Sequence, residues 1–272
     1  MNSASTPTLV RVEEGDVAIV TLCRPPVNAI SSELRSQLTT ALNGLAASQA
    51  SVVLLRGEGR GFCAGADTKE FEGRGGDPVL TVNSLSASTR FWEAIYDVRV
   101  PVVAAIHGFA IGAGMVVGSL CDFRLASASC KISMPEIAVG ISVAGGGSQL
   151  RRLGLREGFI RDLLLNGDTI DADVALREGL VDRVLPDEGF EEASLAWAKR
   201  LARHGRSALV AMKAALNLTE ATTDWRAGNA LTRSLSVNFV ESRMGRREDE
   251  RPHEKAASKA RNDQKVDWRP AV

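Results

Sequence analysis

Three short segments, two with small residues at a helix start and one with a lone carboxylate, suit chemistry at a developing oxyanion. The first is Gly61-Phe62-Cys63-Ala64-Gly65-Ala66-Asp67-Thr68-Lys69-Glu70. Ala64, Gly65 and Ala66 leave backbone N–H groups unshielded just ahead of a helical start. Asp67 and Glu70 have the spacing of a capping box, Asp67 as N-cap and Glu70 at N3. The positive end of the helix dipole adds to those donors, which is hardware for holding a negative oxygen. A plain tight turn into a helix would use the same residues. The second segment, Val102 to Met115, repeats the logic: an apolar run, then Gly108, Gly112 and Gly114, then a helix. The third, Met134-Pro135-Glu136-Ile137-Ala138-Val139-Gly140, sets Glu136 alone among apolar residues. A desolvated glutamate has a raised pKa and suits a general base near neutrality. Pairing with Arg151 or Arg152 would instead make it structural.

Other chemistries fit poorly. A dinucleotide fingerprint starting at Gly112 needs glycine at position 117, which is Val117, and no acidic residue follows a second strand at the required distance. No P-loop is present. Gly140-Ile141-Ser142-Val143-Ala144 ends in alanine where a nucleophile elbow needs glycine. Cys23, Cys63, Cys121 and Cys130 form no CxxC pair, and three histidines are too few and scattered for a zinc cluster, so no metal site is expected. The cysteines read as free thiols of a reducing compartment.

These segments must be positioned by a scaffold. Leu9 to Val12 and Val17 to Leu22 read as a hairpin around Glu14-Gly15-Asp16. Arg24-Pro25-Pro26-Val27-Asn28-Ala29 is a rigid loop, and Ser31 caps a helix whose Leu34, Leu38, Ala41, Leu42 and Leu45 share a face. Val52 to Leu55 and Val102 to Ile106 read as buried strands, and Asp122 to Leu125 as another. Ser86 to Val98 and Met115 to Leu120 read as helices. Strand, glycine turn, helix therefore recurs, which predicts parallel strands with helical crossovers. No fixed-period repeat is visible. Gly73 to Pro78 reads as a flexible surface stretch. Beyond residue 148 the chain turns mostly helical, with a short strand at Leu180 to Leu185 and helices over Glu191 to His204 and Ser207 to Val240. Glu241 to Lys255, with ten of fifteen residues charged, reads as a solvated tail.

Size and charge bound the rest. The 272 residues suffice for one large domain, divided here into a core over 1–200 and a helical region with its charged tail over 201–272. Lys+Arg and Asp+Glu both number 33, so the balanced charge gives no pull toward nucleic acid or an anionic membrane. Met1 to Leu9 lacks the pattern of a signal peptide, and the apolar runs are too short to span a bilayer. A cytoplasmic protein is expected.

Taken in order, several pieces resemble the enoyl-CoA hydratase/isomerase (crotonase) superfamily. They are Arg24-Pro25 with Asn28-Ala29, Phe62-Cys63-Ala64-Gly65-Ala66-Asp67, Gly112-Ala113-Gly114, Cys121-Asp122, Pro135-Glu136, Gly146-Gly147-Ser148-Gln149-Leu150 and Glu178-Gly179-Leu180-Val181. The match in order and spacing covers about residues 10–215. The resemblance implies an α/β fold, a ClpP-like superhelix of ββα units with a C-terminal helical trimerisation region, assembled as a homotrimer or homohexamer. It implies an acyl-CoA or acyl-carrier-protein thioester as ligand, and no cofactor beyond the coenzyme A of the substrate. The thioester oxygen would sit between the backbone N–H groups of Ala66 and Ala113, with Glu136 as the catalytic acid/base. Ala64, Ala66, Asp67, Thr68, Lys69 and Ala113 would line the binding loop.

Two positions depart from the family pattern. Hydratases of the family carry a second glutamate two residues after the last glycine of the second turn, where this chain has Val116. A single base suits moving a proton from C2 to C4, as in the family's enoyl-CoA isomerases, so an isomerase is the first expectation. The extra acid of dienoyl-CoA isomerases would fall on Ala144. Hydration, dehydration or decarboxylation on the same platform is the alternative, with His107 or Ser142 to help hold water. A non-catalytic acyl-CoA binder is the third. The Arg24-Pro25-Pro26 loop also lacks the lysine that often meets CoA phosphates, which leaves Lys69 or Arg56 for that grip.

Overall fold

The computed structural model describes residues 7–72, 78–140 and 146–220. The alternating N-terminal residues form the expected hairpin. Strand β1 (Val10–Glu13) pairs antiparallel with β2 (Val17–Leu22), Val10 opposite Leu22. Helix α1 (Ser32–Gly44) starts where the Ser31 hydroxyl accepts the Leu34 N–H at 3.2 Å, and it buries Leu34, Leu38 and Leu42 at helical spacing. Then follow β3 (Val52–Gly57), α2 (Thr68–Glu72), α3 (Pro78–Tyr96), β4 (Val102–Ile106), β5 (Phe109–Ile111), α4 (Ala113–Leu120), β6 (Phe123–Ser127) and β7 (Lys131–Ser133). A 3-10 turn covers Pro135–Val139. The C-terminal part contributes α5 (Gly146–Arg152), α6 (Glu157–Leu165), β8 (Ile170–Asp171), α7 (Ala172–Arg177), β9 (Arg183–Leu185), α8 (Phe190–Ala202) and α9 (Arg206–Glu220).

The main sheet has the order β1-β2-β3-β4-β6-β9, parallel throughout except for the edge strand β1. Both of its faces are covered, which is why β3 and β4 read as unbroken apolar runs. Val53, Leu55, Ala104 and Ile106 join one core with Leu34, Leu38, Phe91, Ile95 and Met115 from α1, α3 and α4. Val52, Leu54, Val103 and Ala105 face the other way, against Ala198 and Ala202 of α8 and Leu209 of α9. Leu38, Leu54 and Leu55 are fully buried, so truncating any of them to alanine would cost about 2–5 kcal/mol.

A second small sheet, β5-β7-β8, runs beside the first. Each long parallel strand is followed by a short extended piece and then a helix. After β4 comes β5 and then α4. After β6 comes β7, parallel to β5 and ahead of the 3-10 turn. After β3 the short piece shrinks to a parallel bridge between Cys63 and Ala110, and after β2 to one between Ile30 and Ala66. The repeat is thus carried by geometry, ββα after ββα.

Several boundaries differ from the sequence reading. The 108–114 stretch is not a simple turn, because it contains β5. Strands β7 and β8, of three and two residues, are too short to show alternation. Helix α3 begins at Pro78, eight residues ahead of Ser86, because proline is tolerated in a first helical turn. The expected surface stretch, apart from Pro78, lies outside the described residues, as do the tail from Glu241 and the expected helix beyond Glu220. Within its described part, α9 is pinned by Lys213, which is 6% exposed and donates to Asp122 Oδ2 at 2.7 Å and to the Val100 carbonyl at 3.2 Å. Among the described residues no helix is long and apolar enough to cross a membrane.

Candidate active site

The first small-residue turn is aimed by a two-bond bridge. Ile30 N–H donates to the Gly65 carbonyl at 2.7 Å, and Asp67 N–H donates to the Ile30 carbonyl at 3.1 Å. In extended backbone successive residues direct their amide groups to opposite sides. Ala66, between those two bonds, therefore turns its own N–H away from Ile30. The facing segment is fixed by Asn28, buried with φ +53°, a left-handed conformation that asparagine tolerates better than most residues. Its Nδ2 donates to the Glu58 and Gly61 carbonyls at 2.9 and 3.0 Å, and its Oδ1 accepts the Arg24 N–H at 2.9 Å.

The second turn meets the first directly. Gly112 has φ +51° and ψ −121°, which only glycine adopts without strain, and its N–H donates to the Ser133 carbonyl at 2.8 Å. Helix α4 starts at Ala113, whose N–H belongs to the first turn and has no acceptor within the helix. Gly65, with φ +91°, lies against this turn. A methyl group placed on it would come within 2.6 Å of the Ile111 carbonyl oxygen and 3.5 Å of the Ala113 nitrogen. One placed on Gly114 would overlap the Cys63 carbonyl oxygen.

Glu136 closes the third side. It opens the 3-10 turn after β7, and a methyl group on Gly112 would sit 2.6 Å from its Oε1. Its Oε2 is buried with no hydrogen-bond partner among the described residues. Burial pushes its carboxyl above the ordinary glutamate range. The structural pairing open at the sequence level is not made. Arg151 binds Glu157 at 2.9 Å, and Arg152 binds Glu220 at 3.1 Å and the Ser119 carbonyl at 2.6 Å. Val116, singled out above by the family resemblance, is an apolar side chain 3% exposed in α4. Both amide turns and one desolvated acid thus come together from segments spread over about 70 residues of the chain.

The remaining expected site residues lie on or beside the first turn. Ala64 N–H donates to the Val27 carbonyl at 2.9 Å, while Thr68 and Lys69 are exposed at the start of α2. Asp67 caps α2 through Oδ1, which accepts the Lys69 N–H at 3.0 Å, and its Oδ2 binds Arg24 at 2.5 Å. The capping box is only half made. Glu70 turns instead to Ser32, accepting its N–H at 2.9 Å and its hydroxyl at 2.8 Å, because the N-terminus of α1 offers unpaired donors nearby. Arg56 is engaged with Glu191 at 2.8 Å and Glu13 at 3.4 Å, and His107 Nε2 lies 2.9 Å from the Gly59 carbonyl, so both have structural duties. Ser142 and Ala144 lie outside the described residues. Sequence reasoning gave Arg24 and Asn28 no role. The available signal was a polar pair flanking a rigid double-proline loop.

Fold and site together define an α/β protein of repeated ββα units whose chemistry-bearing groups cluster where the short second strands end. The profile of the enoyl-CoA hydratase/isomerase family matches residues 12–249. The chain is 34% identical over 212 residues to a protein of Rhizobium meliloti (strain 1021) called probable enoyl-CoA hydratase, covering 77% of this chain and 81% of that one. It is 33% identical over 221 residues to the 2,3-dehydroadipyl-CoA hydratase of Escherichia coli (strain K12), covering 80% and 85%. Its fold is similar to the crystal structure of enoyl-CoA hydratase from Bacillus anthracis, with a TM-score of 0.80 and 28% identity over 92% of this chain and 96% of that one. The chain belongs to the enoyl-CoA hydratase/isomerase family, and it is an acyl-CoA enzyme of the crotonase superfamily.

Proposed function

We propose that this enzyme shifts a double bond in an enoyl-CoA ester, using Glu136 as its one acid/base. The thioester oxygen sits between the N–H groups of Ala66 and Ala113. Glu136 takes a proton from C2, the electron pair spreads into a dienolate whose charge rests on that oxygen, and the same glutamate returns the proton at C4. Preorganised amides at such an oxygen are worth about 3 kcal/mol apiece in the transition state. The route uses no cofactor beyond the coenzyme A of the substrate. Ala64, Asp67, Thr68 and Lys69 line the approach of the thioester handle, coenzyme A or a carrier protein. The observation that carries the reading is Glu136 Oε2, buried and without a partner among the described residues beside the Gly112–Ala113 turn, with Val116 rather than a second acid on α4. Met212 and Leu216, 63% and 60% exposed on α9, support packing of that helix against other subunits in a trimer or hexamer.

Hydration is the second reading, and the names of the relatives favour it. It requires water held by Glu136 and another polar group, a task for which His107 is poorly placed because it faces the Gly59 carbonyl. Incubating 3-enoyl-, 2-enoyl- and 3-hydroxyacyl-CoA esters in heavy, 18O-labelled water separates the two by mass spectrometry. Deuterium at the carbon chain without 18O is the expected result. Uptake of 18O at C3 would replace isomerisation by hydration.

A further inference from the structure

The geometry points to Arg24 as a positioning residue for the Ala66 amide, acting through Asp67; this rests on the reading that the Ala66 N–H receives the thioester oxygen. Ala66 is oriented by the bridge between residues 65–67 and Ile30. The Arg24 guanidinium grips both sides of that bridge. Its Nη1 donates to the carbonyl of Ala29, next to Ile30, at 3.0 Å. Its Nη2 donates to the carboxylate of Asp67, next to Ala66, at 2.5 Å. The grip is itself anchored, because the Arg24 N–H donates to Asn28 Oδ1 at 2.9 Å.

The planar fork suits this double duty, since it reaches two acceptors in fixed directions, which an ammonium point charge cannot reproduce. Charge adds a second reason. Asp67 is joined directly to the residue whose amide must meet a developing negative oxygen, and its side chain is only 12% exposed. Unpaired, that carboxylate would oppose the oxyanion. Paired with Arg24, it is neutralised while its other oxygen still caps α2 through the Lys69 N–H. Arg24 thus holds the donor in place and cancels the one charge covalently nearest to it.

The test compares the full chain with Arg24→Gln, Arg24→Lys and Asp67→Asn. The probe is butyryl-CoA labelled with 13C at the thioester carbonyl, read by isotope-edited infrared difference spectroscopy, together with kcat and KM on the enoyl ester that the wild type turns over. In the wild type the bound carbonyl stretch moves to lower frequency than in water. Arg24→Gln and Asp67→Asn should each lose part of that shift and roughly 10- to 100-fold of kcat, as expected for a slightly misplaced catalytic donor, with KM changed far less. Arg24→Lys should recover only part of both. If Arg24→Gln does not fold, the nearly isosteric Asp67→Asn carries the test. Full wild-type shift and kcat in the folded variants would overturn the proposal. So would a defect seen with the CoA ester and absent with the matching pantetheine thioester, since Arg24 would then be a phosphate ligand. No shift in the wild type would instead remove the Ala66–Ala113 reading, and this inference with it.

Discussion

The turn after β3 and the turn that opens α4 offer the same group, a backbone N–H beside a small residue, but they are held by different forces. The first is stapled by polar side chains. Arg24, Asn28, Asp67 and Glu70 tie it to the double-proline loop and to the N-terminus of α1, and much of this network touches water. The second is wedged. Met115, Val116 and Val117 are buried, the Gly112 N–H is committed to Ser133, and a methyl group at Gly114 would strike the Cys63 backbone. Polar staples can be weakened one at a time. A packed wedge has no slack, because interiors are as dense as organic crystals. On the proposed reading the site therefore pairs an adjustable donor with a fixed one.

The strongest blow falls on the wedged side. Glu136→Gln should lower α-proton exchange in heavy water by about 100- to 10,000-fold while leaving binding of a saturated acyl-CoA unchanged. Unaltered exchange would remove Glu136 from the mechanism. Burial raises the folded-state pKa of Glu136, so the base is lost as pH falls through that raised value, and the wild-type rate should fall there. Stability runs the other way. A carboxyl with a raised folded pKa contributes stability that is complete below its unfolded value and lost as pH rises through the folded one. Glu136→Gln should therefore melt above wild type at neutral pH, and the gap should close in acid.

A glycine change should come next. Gly112→Ala forces an L-residue into a glycine-only conformation and drives its methyl into the Glu136 carboxylate. It should cost about 1–3 kcal/mol of stability and, by misplacing the reacting groups, about 100-fold in turnover. Chemical denaturation and kcat on the same sample would check both, and retention of activity would show that the wedge has slack after all. On the stapled side, Glu70→Gln weakens the bond to Ser32 without leaving it wholly unpaired. About 0.5–1.5 kcal/mol of stability should be lost, with kcat within a few-fold of wild type. A larger kinetic loss there than at Gly112 would reverse the contrast between the two turns. The smallest effect concerns the thiols. Burial pushes Cys63 and Cys121 up to about 12, so neither should react with iodoacetamide in the native protein at neutral pH, whereas unfolding should expose both. Native labelling of Cys63 would mean that the first turn opens.

How legible the molecule was depended on what carried each feature. The hairpin, the capped helix α1 and strands β3 and β4 were readable because burial imposes a period or an unbroken run on the residue types. Strands β5, β7 and β8 were not, because two or three residues of extended chain are specified by their neighbours in the small sheet rather than by their own sequence. The site divided in the same way. Gly65, Ala66, Ala113 and Glu136 were visible as types, since small residues beside a helix start and a lone acid in an apolar stretch each suggest a chemistry. Arg24 was visible only as a marker of the family resemblance, because nothing in a loop arginine before two prolines names Asp67 as its partner.

By itself the sequence determined the class of fold, the balanced charge, the two small-residue turns, the single acid and the missing second one at Val116. The fold class, the small-residue turns and the lone acid follow from local rules of propensity, burial and capping, each felt within a few residues, while the second acid expected at Val116 is known to be missing only through the family resemblance. Only the tertiary structure decided that Glu136 has no arginine partner among the described residues, that Asp67 belongs to Arg24 and Glu70 to Ser32, and that Gly65 lies against the Ala113 turn. Those are choices among partners distant along the chain. A carboxylate or an amide has several chemically equal suitors in any sequence, and packing alone selects which one comes within bonding distance.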